Sequence, residues 1–98
     1  MKELKREELM QNEYIGRMVK NLPLLRASVE LTQEHLSEKL GISRQTIVAI
    51  ENEKSPLTWS LYLAMVCVFE QYEPSKKLLA SFEVFSSKFL KDKGEKRF

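Results

Sequence analysis

Residues 26–56 read RASVELTQEHLSEKLGISRQTIVAIENEKSP, and two short helices are spelled out within them. Thr32 is a good N-cap, and Glu34 suits the positive end of the helix that begins with QEHLSEKL. Leu36 and Leu40, four residues apart, give that helix a buried stripe. Gly41 then ends it, because glycine takes the left-handed turn without steric cost. Ser43 caps a second helix, RQTIVAIEN, whose Ile47 and Ile50 point inward. Two short helices joined by Gly-Ile-Ser form a helix-turn-helix arrangement.

The flanks are helical in pattern as well. Residues 2–20 contain no proline and place Leu4, Leu9, Met10, Tyr14, Ile15, Met18 and Val19 at helical spacings. Asn21-Leu22-Pro23 interrupts the pattern, with Asn21 as a new cap and Pro23 in the first turn of a short helix. Ser55-Pro56 breaks the chain again, and Thr58 caps a helix over 59–69 that is apolar nearly all round and expected to be the most buried. Glu73-Pro74-Ser75 ends that helix. A last one, over 76–91, carries Leu78, Phe82, Phe85 and Phe89 at spacings of 4, 3 and 4. The expected organisation is an N-terminal helix over 1–20, a helix-turn-helix unit over 21–72 and a C-terminal helix over 75–92.

Composition narrows the function. The longest apolar run is far short of the roughly 20 residues that cross a bilayer, and the charged start MKELKREELM is no signal peptide. Both point to a cytoplasmic protein with no membrane partner. Cys67 is the single cysteine and lies in an apolar run, where a buried, inert thiol is expected. His35 is the single histidine, expected on the surface in a first helical turn, so a two-histidine metal or acid-base site is excluded. No catalytic constellation, metal site or cofactor motif remains, and the chain reads as a non-enzyme without cofactors. Net charge is +1 over residues 1–20, −1 over 21–58, −2 over 59–74 and +4 over 75–98. The helix-turn-helix stretch is therefore not basic.

With Leu-Thr-Gln-Glu-x-Leu, a small residue, a Gly turn, Ser-Arg-x-Thr-Ile and Ile-Glu-Asn in unbroken register, residues 26–56 resemble the phage repressor and Cro-type (XRE) helix-turn-helix family. The resemblance implies an all-α, lambda-repressor-like domain, here with extra N- and C-terminal helices, that binds double-stranded DNA and regulates transcription. It places Gln33 against the DNA backbone, beside the free N–H groups of the first helix. Ser37 takes the position where the two helices cross closely, and Leu36, Leu40, Ile42, Ile47 and Ile50 form the shared core. Ser43, Arg44, Gln45 and Thr46 open the recognition helix. Arg44 suits guanine O6 and N7 and Gln45 suits adenine N6 and N7, whereas Ser43 and Thr46 suit phosphates. Val48 and Ala49, expected on the exposed side, suit a thymine methyl.

Arg26 and Glu51 match a family pair that forms an inward salt bridge, so both are assigned to structure. Two departures stand out. Where the family has Asn-Gly-Lys, this chain has Asn52-Glu53-Lys54, and Asn52 is expected to take the left-handed cap because it tolerates that conformation better than Glu53. The phosphate contacts implied for Asn52 and Lys54 depend on that turn. The low charge is the second departure, since phosphate neutralisation supplies much of DNA affinity.

A homodimer answers the second point. Leu78, Phe82, Phe85 and Phe89 share one helical face suited to packing on another helix, and together with the N-terminal helix they form a possible dimer surface. Two copies set recognition helices about 34 Å apart, as a palindromic operator requires. The leading reading is a repressor that competes with transcription. Two alternatives use the same fold: the antitoxin of a toxin-antitoxin pair, marked by a toxin-binding surface, and a protein-interaction module with a protein partner. Arg44-Gln45 argues against the last, which has no need of a forked donor and an amide there.

Overall fold

The structure, a computed structural model, describes residues 2–82, which form five helices and no strand among them. They are α1 (Lys2–Ser28), α2 (Gln33–Leu40), α3 (Arg44–Glu51), α4 (Trp59–Glu70) and α5 (Glu73–Phe82). The all-α expectation holds.

Local chemistry starts the middle helices where the sequence suggests. The side-chain oxygens of Thr32, Ser43 and Thr58 accept the backbone N–H of His35, Thr46 and Leu61, each three residues ahead. Gly41 closes α2 at φ +72°. There Ile42 N–H reaches Ser37 O and Gly41 N–H reaches Glu38 O, the paired bonds of a Schellman turn.

The same two-bond turn closes α1 and α3, with a glutamate at its left-handed position. Glu30 sits at φ +56° and Glu53 at φ +58°. Leu31 N–H bonds to Arg26 O, and Lys54 N–H to Ala49 O. The expectation for Asn52 is corrected: it adopts φ −88°, and the left-handed residue is Glu53. The bond from Lys54 N–H back to Ala49 O fixes which residue must turn, and local preference yields to it. An L-residue there costs about 1–2 kcal/mol. Both glutamates are exposed, so Glu30→Gly with Glu53→Gly should stabilise the protein by about 2 kcal/mol in total. That raises the melting midpoint by about 8–16 °C for a chain of this size, readable by circular dichroism.

The break expected at 21–23 does not occur. α1 runs unbroken through Pro23, whose missing N–H deprives it of one internal bond. Met18, Leu22 and Leu25 straddle the proline on one face and are each fully buried, and their burial, about 1.5–3 kcal/mol apiece, holds the helix together. Asn21 does not cap a new helix; its side-chain amide donates to Arg17 O within the same one, at 2.8 Å.

The core is built from α1, α2, α3 and α4 with Leu79 of α5. Tyr62, Met65, Val66, Val68 and Phe69 make the inner face of α4. Its outer face corrects two expectations: Cys67 is exposed, and so is Leu63. Nine apolar residues in a row, 61–69, outrun the single face that the other helices can cover. Glu73-Pro74 opens α5 instead of serving only as a stop, because proline is at home in a first turn. Ser75 is buried and donates to Phe69 O at 2.6 Å, tying the two helices. Leu79, not Leu78, is the buried apolar residue of α5. Leu78 and Phe82 are half-buried against the protein's own core. Phe85, Phe89 and the rest of the expected 76–91 helix lie outside the described residues.

Candidate nucleic-acid interface

α2 and α3 pack on each other more extensively than any other pair of helices. Leu36, Ile47 and Ile50 are buried between them and the rest of the core, and Leu40 and Ile42 are half-buried at its edge. Ser37 is buried, with its hydroxyl donating to Glu34 O at 2.6 Å, so the small residue required there leaves no unpaired polar atom. The pair forms a rigid block, and its outer surface carries the candidate DNA-facing residues.

Ser43, Arg44 and Gln45 are exposed at the start of α3. Ser43 Oγ and Thr46 Oγ1 lie 2.9 Å apart, so both hydroxyls take part in the cap while keeping lone pairs for a further donor. Thr46, Val48 and Ala49 are half-buried, and Asn52 and Lys54 are exposed. Arg44, Val48 and Asn52 succeed one another at spacings of four, with Gln45 and Ala49 beside them, on one continuous face. The apolar members are thus less open than expected, and the carbonyl of Ala49 accepts the N–H groups of Lys54 and Ser55 in the following turn.

Behind this face stands a charged network. Arg26 grips Glu51 through two parallel bonds, Nε to Oε2 at 2.7 Å and Nη2 to Oε1 at 3.0 Å. Arg26 Nη1 also donates to Leu31 O at 3.1 Å. The two side chains are only 17% and 7% exposed, so the pair faces inward. Gln33 Nε2 donates to the same carboxylate, to Oε1 at 3.0 Å. That contact was not foreseen: Gln33 is half-buried and anchored on Glu51, leaving its amide oxygen and one N–H for other partners. No local signal reveals it, since the residues are eighteen positions apart and meet only once α2 and α3 cross.

Arg26, Gln33 and Arg44 share an open cleft of about 710 Å³ with Thr32, Glu34 and His35. It lies at the N-termini of α2 and α3, where unpaired backbone N–H groups favour an anion. His35 is exposed as expected, and with Thr32 and Glu34 it lines the cleft without having been assigned to the site from the motif. The Glu34 carboxylate opposes an anion there and tempers the cleft's charge.

Residues 24–69, from the last turn of α1 to the end of α4, match the Helix-turn-helix family. A curated protein of Methanocaldococcus jannaschii, an uncharacterised HTH-type transcriptional regulator, is 57% identical over 37 residues. The match covers 38% of this chain and 56% of that relative, so the chain spans about half the length of the curated relative it matches. No solved structure matches. No helix among the described residues is long and apolar enough to cross a membrane.

Proposed function

Residues 24–69 form a helix-turn-helix domain of the phage repressor and Cro type, and from that premise we propose that the protein regulates transcription by binding double-stranded DNA in a sequence-specific manner. The observation that carries this reading is the state of Arg44 and Gln45. Both stand exposed at the first turn of α3 and make no hydrogen bond with another described side chain. The helix they start is capped, buried on its other face and locked against α2. A forked donor and an amide held outward on a rigid helix suit guanine and adenine edges in a major groove.

Val48 and Ala49 line the same face for thymine methyls. Ser43, Thr46, Asn52, Lys54 and Gln33 flank it and serve the DNA backbone, Gln33 from a position fixed by Glu51. Glu51 itself, neutralised by Arg26, presents no free charge to phosphate. The protein acts as a dimer on a palindromic operator, occupying it in competition with transcription. Two copies compensate for the −1 charge of residues 21–58, since each adds its own backbone contacts.

The test compares two substitutions on a preferred site and on random DNA. Arg44→Ala should cost about 1–3 kcal/mol on the preferred site only and relax one base position. Gln33→Ala should weaken both alike. Equal losses for Arg44→Ala on both DNAs would remove it from base reading.

A further inference from the structure

We propose that Lys20, on α1, is a further contact to the DNA backbone, closing together with Lys54 on a phosphate at the far end of α3. The inference rests on the DNA-binding reading above and adds a residue from outside the helix-turn-helix match, which begins at residue 24.

Lys20 and Lys54 lie far apart in the sequence yet line one cleft, of about 480 Å³, between α1 and the α3–α4 connection. Both are exposed, and neither side chain forms a hydrogen bond or ion pair with another described residue. Each ammonium group carries three N–H donors and no acceptor. Two of them, unpaired in one hollow, suit an anion with several oxygens. Ser55, half-buried in the same wall, adds a hydroxyl that has no partner among the described residues. Glu53 also lines the cleft and opposes an anion, so two lysines against one glutamate leave a formal charge of +1 there. The remaining walls are largely apolar, Val19 and Leu57 among them. Such walls can carry the lysine stems while the charged ends stay outward.

The position of the cleft ties it to DNA. The cleft of Arg26, Gln33 and Arg44 stands at the N-terminal end of α3. This one stands at the opposite end, where Glu53, Lys54 and Ser55 follow the helix. With eight residues α3 is about 12 Å long, and a major groove is about 12 Å wide. When Arg44 and Gln45 reach base edges, the far end of α3 therefore lies within a groove's width of a phosphate strand. Gly16, one helical turn before Lys20, keeps the approach clear. A Cβ added there meets nothing within 4 Å, so the protein's own packing does not require this glycine. Glycine is otherwise among the poorest helix formers, and bare backbone is what a closely approaching ligand needs.

Lys20→Gln in the full chain removes the charge and keeps most of the stem. Its binding is measured across a salt series, on a duplex recovered by selection and on a random one. Lys77→Gln, which removes an exposed lysine from α5, controls for net charge. Lys20→Gln should keep the parent's melting temperature and weaken both complexes by the same factor, about two- to fivefold for each bound copy. It should also lower the slope of log affinity against log salt by about 0.9 per copy. Lys77→Gln should leave that slope at the parent's value. If Lys20→Gln changes neither affinity nor slope while Arg44→Ala still weakens the selected duplex, base reading by α3 stands and the Lys20 contact is overturned. Equal drops in slope for Lys20→Gln and Lys77→Gln would reduce the effect to net charge and overturn the contact, as would a loss confined to the selected duplex. A lower melting temperature for Lys20→Gln would give the lysine a structural role instead and overturn it too. A parent chain that binds neither duplex would end the DNA-binding reading and this inference with it.

Discussion

Arg26→Met should lower the stability of the protein by about 3–5 kcal/mol, the loss expected when one partner of a buried ion pair is removed. The substitution keeps most of the aliphatic stem and deletes every charged contact. Glu51, with a side chain only 7% exposed, would retain the single Gln33 amide against a buried negative charge. Leu31 O would lose its guanidinium donor at the turn that joins α1 to α2. The damage therefore spreads to three elements, α1, α3 and the α1–α2 turn. Urea unfolding followed by circular dichroism reads the change directly. Arg26→Met combined with Glu51→Met should recover much of the loss, because desolvation offsets most of the attraction within an intact pair. If Arg26→Met melts like the parent while DNA binding disappears, Arg26 is a DNA contact and its structural role is refuted.

Tyr62→Ala should be similarly damaging, by about the 3–5 kcal/mol that loss of a buried aromatic ring costs. Tyr62 is fully buried at the junction of α1 and α4. Its ring stacks on Trp59 with centroids 4.8 Å apart and lies 6.5 Å from Tyr14 of α1. Burial, first of all, and the neighbouring Tyr14 push the Tyr62 hydroxyl well above the ordinary tyrosine value, while Arg17 pulls slightly the other way. The folded protein thus keeps a proton that the unfolded chain releases above about pH 10. Its contribution to stability is complete below that pH and declines as the pH rises toward the folded-state value. Unfolding midpoints measured from pH 8 to 11 should fall at the alkaline end, and Tyr62→Phe should flatten that fall. An alkaline limb identical in parent and Tyr62→Phe would assign the effect to other groups.

Features set by neighbouring residues were legible in the sequence. Thr32, Ser43 and Thr58 cap the helices they precede, and Gly41 turns left-handed, because each of these devices acts within three or four positions. The Arg26–Glu51 pair was legible only through family resemblance, twenty-five positions being too far for any local rule. Misreadings arose where tertiary forces overrode local preference. Pro23 looks like a break, but three buried side chains carry the helix across it. Glu53 looks unfit for a left-handed turn, but the closing bond from Lys54 to Ala49 dictates which residue turns. Cys67 looks buried by its apolar neighbours, but α4 has more apolar surface than the surrounding helices cover. Gln33 was placed at the right end of the right helix, while its hold on Glu51 depends on a helix crossing that spacing does not encode. The helix-turn-helix unit is therefore readable from its own residues, and the uses of α1 and α5 around it are not.

Selection of binding sites from random duplex DNA shows whether the chain reads sequence through α3. One enriched sequence is expected, a palindrome whose half-site centres lie about one helical turn apart. The same selection with Arg44→Ala should lose preference at a symmetric pair of guanine positions and keep the rest. Recovery of no enriched sequence, or of the same sequence undiminished with Arg44→Ala and Gln45→Ala together, would contradict sequence reading by α3.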